Sequence, residues 1–403
     1  MNNYLQNIFV KFQNMRFAAI LVSGIILASC QTNGLNIDPG ADATQTTPRL
    51  TENPSGEVFG QGRIRVALLI PKTAPGNGAK VAQEILNGAL MALEDFGQNT
   101  IQLVVKDTVG QPTTAQTKAS EAVGEGASII LGPLFSESVS NASAMTQPVG
   151  RPIIAFSTDA SIARRGVYLL SFTPQDDVRR IISYAASQGK RSIIAFLPSN
   201  AYGAVVEGTL RQVAGRSGVE IVHIARYERS GEGIEAAVRD AAVFYENADT
   251  IYIPEGGNVP SAILGSIKRL RLPMADKQVL GSGRWESVKL GDRLLSGAIY
   301  PGRDISKFDN FSARYEAKYG IKPGVNAALG HDAVTLTVEL VRRNRERAFR
   351  ANIIENANGF VGINGIFRFR KQGTAERGLA IYRVTNGLGQ LLVPAPTSFG
   401  FGR

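Results

Sequence analysis

From Arg63 onward, short apolar runs alternate with longer stretches in which apolar residues recur at helical spacing. RIRVALLI (63–70) predicts a strand, and Val81, Ile85, Leu86, Ala89 and Leu93 predict a helix over about 79–96. IQLVVKD predicts the next strand, a helix covers 113–124, and ASIILG is again a strand. The rhythm continues with a helix near 136–146, RPIIAF and GVYLLSF. Next come helix 175–188, RSIIAFL, helix 202–216, VEIVHIARY, helix 233–246, DTIYIPE, helix 259–270 and KQVLGS. Strands that are almost wholly apolar are expected where helices cover both faces of a parallel sheet. Alternation of this kind predicts doubly wound α/β units. After a strand at GAIYPG the order changes. Two helices are expected at about 305–319 and 325–347, then a hairpin in FVGINGIFRFR with Gly365 near its turn, and finally RGLAIYRVTNG.

The front of the chain follows another pattern. Lys11 and Arg16, with no acid nearby, precede the uncharged run Phe17–Ser29. A basic start, an apolar middle and small residues at the end are the parts of a secretory signal. At about 13 residues the apolar run is shorter than the roughly 20 that span a bilayer as a helix. Met15 offers a second candidate start. The run closes on Leu27-Ala28-Ser29-Cys30, which resembles the bacterial lipobox, where the cysteine sulfur is acylated and the chain is cut before it. Cys30 is the only cysteine. The competing reading is a small buried core residue, but position and uniqueness favour lipidation. The expectation is a signal over 1–29 and a chain tethered outside the cytoplasm by acyl chains. In Gram-negative lipoproteins of this type, an Asp after the cysteine favours the inner membrane. Gln31 and Thr32 stand here, so the expected site in such an envelope is the outer membrane. Residues 30–60 are rich in Thr, Asn, Pro and Gly and predict a flexible leash.

About 340 residues remain, enough for two medium domains. The net charge of +10 clusters on predicted helices, at Lys268-Arg269, Arg164-Arg165 and RRNRERAFR (342–350). These are read as solvated helix faces. An exported chain seldom meets nucleic acid, so anionic lipid or cell-wall polymer is the better-placed partner. The sequence holds no P-loop, no cysteine pair and no G-x-S-x-G elbow. His223 sits within a strand and His331 starts a helix, with no partners placed for a metal site or a triad. No cofactor, metal or enzymatic activity is therefore expected.

In open parallel sheets, ligands sit beyond the carboxyl ends of the strands. The loops there are 71–78, 132–138, 157–159, 198–202, 255–258 and 282–286.

Four segments in this order carry a resemblance: LLIPKTAPGNGAKVAQEILNGALMAL, IILGPLFSES, RPIIAFSTDASIARRGVYLLSFTPQDD and IIAFLPSNAYG. With GHDAVTL and FVGINGIFRFRKQG downstream, residues 63–390 resemble the type I periplasmic binding proteins of the leucine/isoleucine/valine-binding family. Within it the chain looks similar to the lipoprotein activators of penicillin-binding proteins, although a short leash stands where that branch carries an extra helical domain. The resemblance implies two Rossmann-like lobes with parallel sheets, joined by a three-crossover hinge that closes on ligand. Lobe 1 is expected at 61–173 plus 302–357, and lobe 2 at 174–301 plus 358–403. Crossovers are expected near Thr173, Pro301 and Asn358.

It also implies a site. Ser136 either meets a ligand carboxylate at a helix start or caps that helix. Ser157 and Thr158 form the next contact loop or a turn. Tyr202 closes over the ligand from lobe 2 or packs. Glu255 and Glu286 are candidates for a ligand ammonium, and Trp285 caps the pocket or packs. The expected partner is a small polar, amino-acid-like molecule or a peptidoglycan fragment. The alternative is an outer-membrane activator that contacts a penicillin-binding protein directly.

Overall fold

In a computed structural model, residues 53–400 are described. Cys30 and the predicted signal lie outside them.

The first sheet takes β1 (Glu57–Phe59), β2 (Ile64–Ile70), β3 (Ile101–Asp107), β4 (Ile129–Leu131), β5 (Ile153–Ala155) and β6 (Val167–Leu169). Their order is β1-β3-β2-β4-β5-β6, all parallel except β1, which runs antiparallel to β3. Helices α1 (Asn77–Ala92), α2 (Pro112–Gly124) and α3 (Ser136–Thr146) make the crossovers. Val66, Leu68 and Ile70 of β2 enter one buried cluster, while Ala67 and Leu69 enter another. A strand with helices on both sides has no solvent face, which is why β2 reads as an unbroken apolar run.

The chain crosses after β6 into the second lobe through α4 (Pro174–Ser187), β7 (Ser192–Pro198), α5 (Ala201–Ser217), β8 (Glu220–Tyr227), α6 (Gly231–Ala241), β9 (Thr250–Tyr252), α7 (Val259–Arg269), β10 (Gln278–Leu280) and β11 (Ile299–Gly302). It returns for α8 (Phe308–Tyr319), α9 (Val325–Asn344), the short α10 (Ala351–Ile354) and a small sheet of β12 (Phe360–Gly362), β13 (Gly365–Phe369) and β14 (Ala375–Arg377). The last pair, β15 (Ala380–Thr385) and β16 (Leu388–Val393), closes the second sheet in the order β16-β15-β11-β10-β9-β7-β8. Both large sheets are thus parallel with antiparallel additions at an edge, in two α/β lobes as expected. Helices α1 and α9 cross backbone to backbone. A side chain at Gly88 would strike the Ala327 carbonyl, and one at Gly330 the Ile85 carbonyl.

Two expected boundaries shift. Residues 358–377, assigned to lobe 2 from the sequence, pack on lobe 1: Phe360, Phe367, Phe369 and Ala375 share a core with Val66, Leu68 and Leu170. The third crossover therefore falls at Gly378-Leu379 rather than at Asn358, because the hairpin's aromatic face is what completes the lobe 1 core. The predicted leash also ends early. Glu57–Phe59 pairs with Val105–Leu103. Ser55 is held by the buried Lys106, whose Nζ donates to the Ser55 carbonyl (2.7 Å) and pairs with Glu125 (2.9 Å).

The hinge is tied by side chains. Buried Arg377 donates from Nη2 to the Leu170 carbonyl (2.6 Å), and its guanidinium lies 4.0 Å above the Phe172 ring. Arg180 Nε donates to the Leu379 carbonyl at 2.7 Å.

Candidate functional site

A cavity of about 890 Å³ opens where the loops after the strands of the two lobes meet at the crossovers. Lobe 1 supplies Thr158, Asp159, Ser161 and Val325. Lobe 2 supplies Asp177, Tyr202, Val205, Arg284 and Glu286. Phe172, Pro174, Arg303 and Leu379 come from the crossovers. The site lies beyond the carboxyl ends of the parallel strands, where an α/β sheet leaves loop backbone and helix starts free to meet a ligand.

Local sequence sets each wall. Pro174 fits the first turn of α4, where its missing N–H costs nothing. That turn carries Asp176 and Asp177. Asp176 is turned inward and is held by Thr173 (3.0 Å) and Arg179 (2.7 Å). Asp177 faces the cleft, where its Oδ2 accepts the Gly283 amide at 3.0 Å. No cationic side chain pairs with it among the described residues. Desolvation, with Asp176 and Glu286 nearby, pushes its carboxyl up to about 8 against the opposing pull of the Gly283 amide and the Arg284 charge. Gly283 and Arg284 open a short 3-10 turn, capped by Ser282 accepting from the Arg284 amide at 3.1 Å. The Arg284 guanidinium lies 3.7 Å over the Tyr202 ring. The Tyr202 hydroxyl donates to the Pro254 carbonyl at 3.0 Å, which fixes the ring against the wall.

Of the residues expected from the sequence, Thr158, Tyr202 and Glu286 line the cavity together. The other four do not. Ser136 is the first residue of α3 but neither caps it nor reaches the cavity. Ser157 is buried and accepts the Asp159 amide at 3.2 Å. Glu255 is buried behind the wall, bonded to Tyr227 (3.0 Å), Arg229 (2.9 Å) and Arg284 (3.5 Å). Trp285 is fully buried, its Nε1 donating to the Ile253 carbonyl at 2.9 Å. Glu286 lines the cavity but is occupied by Arg303 (2.8 Å).

Neither histidine joins the cavity. His223 meets Asp240 at 2.6 Å and stacks on Phe244. His331 is buried against Phe311, and burial takes it down to about 4.

The sequence reading passed over Asp177, Arg284 and Arg303. Asp177 sits in PQDD, where two acids at a helix start have an ordinary explanation in the helix dipole. Only folding shows that the first turns inward and the second into the cleft.

Two lobes around a hinged, loop-lined cleft define a solute-capturing receptor fold. The sequence matches the family model for periplasmic binding proteins over residues 63–388, and the chain belongs to that family. No curated protein matches it significantly. Among solved structures it is similar to a putative branched-chain amino acid ABC transporter protein from Rhodospirillum rubrum (18% identity, 82% of this chain and 99% of that one, TM-score 0.71). A leucine binding protein from Thermotoga maritima (20% identity, 83% and 99%, TM-score 0.56) is also similar. So is an ABC transporter substrate-binding protein from Desulfitobacterium hafniense in complex with Leu (17% identity, 82% and 99%, TM-score 0.60). At these identities the likenesses speak for the fold.

Proposed function

We propose that the protein captures a small polar, amino-acid-like molecule between its lobes, in a binding rather than a catalytic role, while tethered to the cell envelope by lipid on Cys30. The observation that carries this reading is Asp177, a cleft carboxylate that forms no ion pair among the described residues, Arg284 being near enough only to act on its charge. Glu255 and Glu286 already hold arginines. An ammonium group on the ligand would supply the missing charge, and a desolvated carboxylate gains more from such a partner than an exposed one. Arg284 stands on the same wall to meet a ligand carboxylate. Thr158 and Ser161 add hydroxyls from the opposite lobe, so a ligand touching both sides favours closure.

A thermal-shift screen of the purified protein with amino acids and peptidoglycan fragments tests this. The expected result is a ligand-dependent rise in Tm that Asp177→Asn strongly reduces at the same ligand concentration. No rise with any ammonium-bearing molecule, or a rise untouched by Asp177→Asn, overturns it.

A second reading, activation of a penicillin-binding protein by direct contact, draws on Gln31 and Thr32 after Cys30. Outer-membrane anchoring would take a receptor away from an inner-membrane permease. That reading expects no small-molecule shift and measurable binding to a transpeptidase or glycosyltransferase domain.

A further inference from the structure

The cleft makes no use of the most basic stretch of the chain. Helix α9 begins at Val325 on the cavity and ends at Asn344. At 1.5 Å per residue, that places its C-terminus roughly 30 Å away, at the pole of lobe 1 remote from the cleft. The sequence there is RRNRERAFR (342–350), five arginines against one glutamate. Arg342 is occupied, donating to the Phe96 carbonyl at 2.5 Å, and Arg343 pairs with Glu339 at 2.8 Å. One or two cations in the last turn are accounted for by the helix dipole. Arg345, Arg347 and Arg350 lie beyond the helix, are exposed, and have no carboxylate partner among the described residues. Arg63, just before β2, adds to the same end of the parallel sheet.

We propose that this pole docks on the surface of an anionic phospholipid bilayer. The N-terminal segment enters the same lobe. Cys30 precedes Asn53 by 23 positions, which caps their separation at roughly 80 Å. Just after β1, Gln61 donates to the Gln98 carbonyl at 2.6 Å, in the turn 98–100 whose Thr100 hydroxyl, with the preceding Phe96 carbonyl, accepts from Arg342. The entering N-terminal segment and the arginine pole therefore meet at one turn. Planar, weakly hydrated guanidinium groups suit phosphate headgroups. Docked this way, lobe 1 holds the cleft open to the compartment, away from the membrane.

The test is flotation of the full chain with phosphatidylcholine vesicles, with and without about one-third phosphatidylglycerol, at low and high salt. An acyl chain or apolar segment contributes equally in both lipids, so the readout is the phosphatidylglycerol-dependent increment, and it stands whether or not Cys30 is acylated. The expected increment is on the order of a hundredfold in partitioning from three arginines, lost at high salt. The Arg345→Gln/Arg347→Gln/Arg350→Gln variant is expected to lose it, and Arg216→Gln/Arg271→Gln on the other lobe to keep it. No increment, an increment retained by the triple variant, or binding confined to a soluble anionic polymer overturns the proposal.

Discussion

Asp177 Oδ2 accepts the backbone amide of Gly283 at 3.0 Å, joining the first turn of α4 to the loop after β10 on one wall of the cleft. A side chain at residue 283 would press on this carboxylate. A Cβ there would stand 2.9 Å from Asp177 Oδ1. Gly283→Ala should therefore displace the carboxylate and weaken ligand binding about tenfold or more. Asp177→Asn keeps the shape and removes the charge, so it should cost about 10- to 100-fold in affinity, as for a charge-assisted bond. Its Tm should stay level or rise, because the desolvated carboxyl, which costs stability at neutral pH by holding a proton it would release in water, has gone. Calorimetric titration alongside a melting curve separates the two effects.

Binding should also depend on pH. With the empty-site carboxyl pushed up to about 8, an ammonium ligand must first displace a proton at neutral pH. Affinity should climb by up to about tenfold per pH unit from 6 to 8 and then level off. Asp177→Asn should flatten the profile. A wild-type profile already flat between 6 and 8 would refute the role assigned to Asp177.

Stability should respond to acid through His331. Its folded value is about 4 against an unfolded value of about 6.5, so the unfolded chain binds the proton first. Stability is therefore lost as pH falls from 6.5 towards 4, by on the order of 3 kcal/mol. Asp177, raised to about 8, and buried Asp332, raised to about 6 by desolvation, act in the opposite sense. The unfolded carboxyls ionise first, so these groups lose stability as pH rises from about 4 to their folded values. The wild-type curve should thus be shallow below 6.5. Urea melts of His331→Phe across that range should reveal the steeper carboxylate slope.

Trp285 and Arg377 test packing on either side of the hinge. Trp285 fills the space beside Gly281 and tilts against Tyr300 at 6.1 Å. Trp285→Ala should cost about 3–5 kcal/mol by denaturant unfolding. Arg377→Met removes the cation that offsets the buried Asp332 and Asp176, and should cost about 3–5 kcal/mol. Arg377→Lys should not restore stability, since one ammonium cannot both span the Leu170 and Ser171 carbonyls and lie flat on Phe172.

Lys106→Met should leave the lobes folded and loosen the chain before β1. Nζ of Lys106 joins Ser55 to Glu125, which Ser55 also meets directly through its amide and hydroxyl. Limited proteolysis should then cut near residues 53–56 faster than in the wild type.

The alternation of apolar runs and helical periodicities determined by itself that the chain makes two wound α/β units. A strand covered on both faces must be apolar at every position, and that pattern is local. Of the six loops expected beyond the strands, 157–159, 198–202 and 282–286 line the cavity and 71–78, 132–138 and 255–258 do not, while Thr158, Tyr202 and Glu286 were implied by the family resemblance. Tertiary structure decided which charges are free. Glu255, Glu286 and Asp177 look alike in sequence, and only the folded arrangement, which pairs Glu255 with Arg229 and Arg284 and Glu286 with Arg303, leaves Asp177 without an ion pair of its own among the described residues. It also decided where the final hairpin belongs, because Phe360, Phe367 and Phe369 are apolar enough for either lobe and only the unfilled face of lobe 1 selects them.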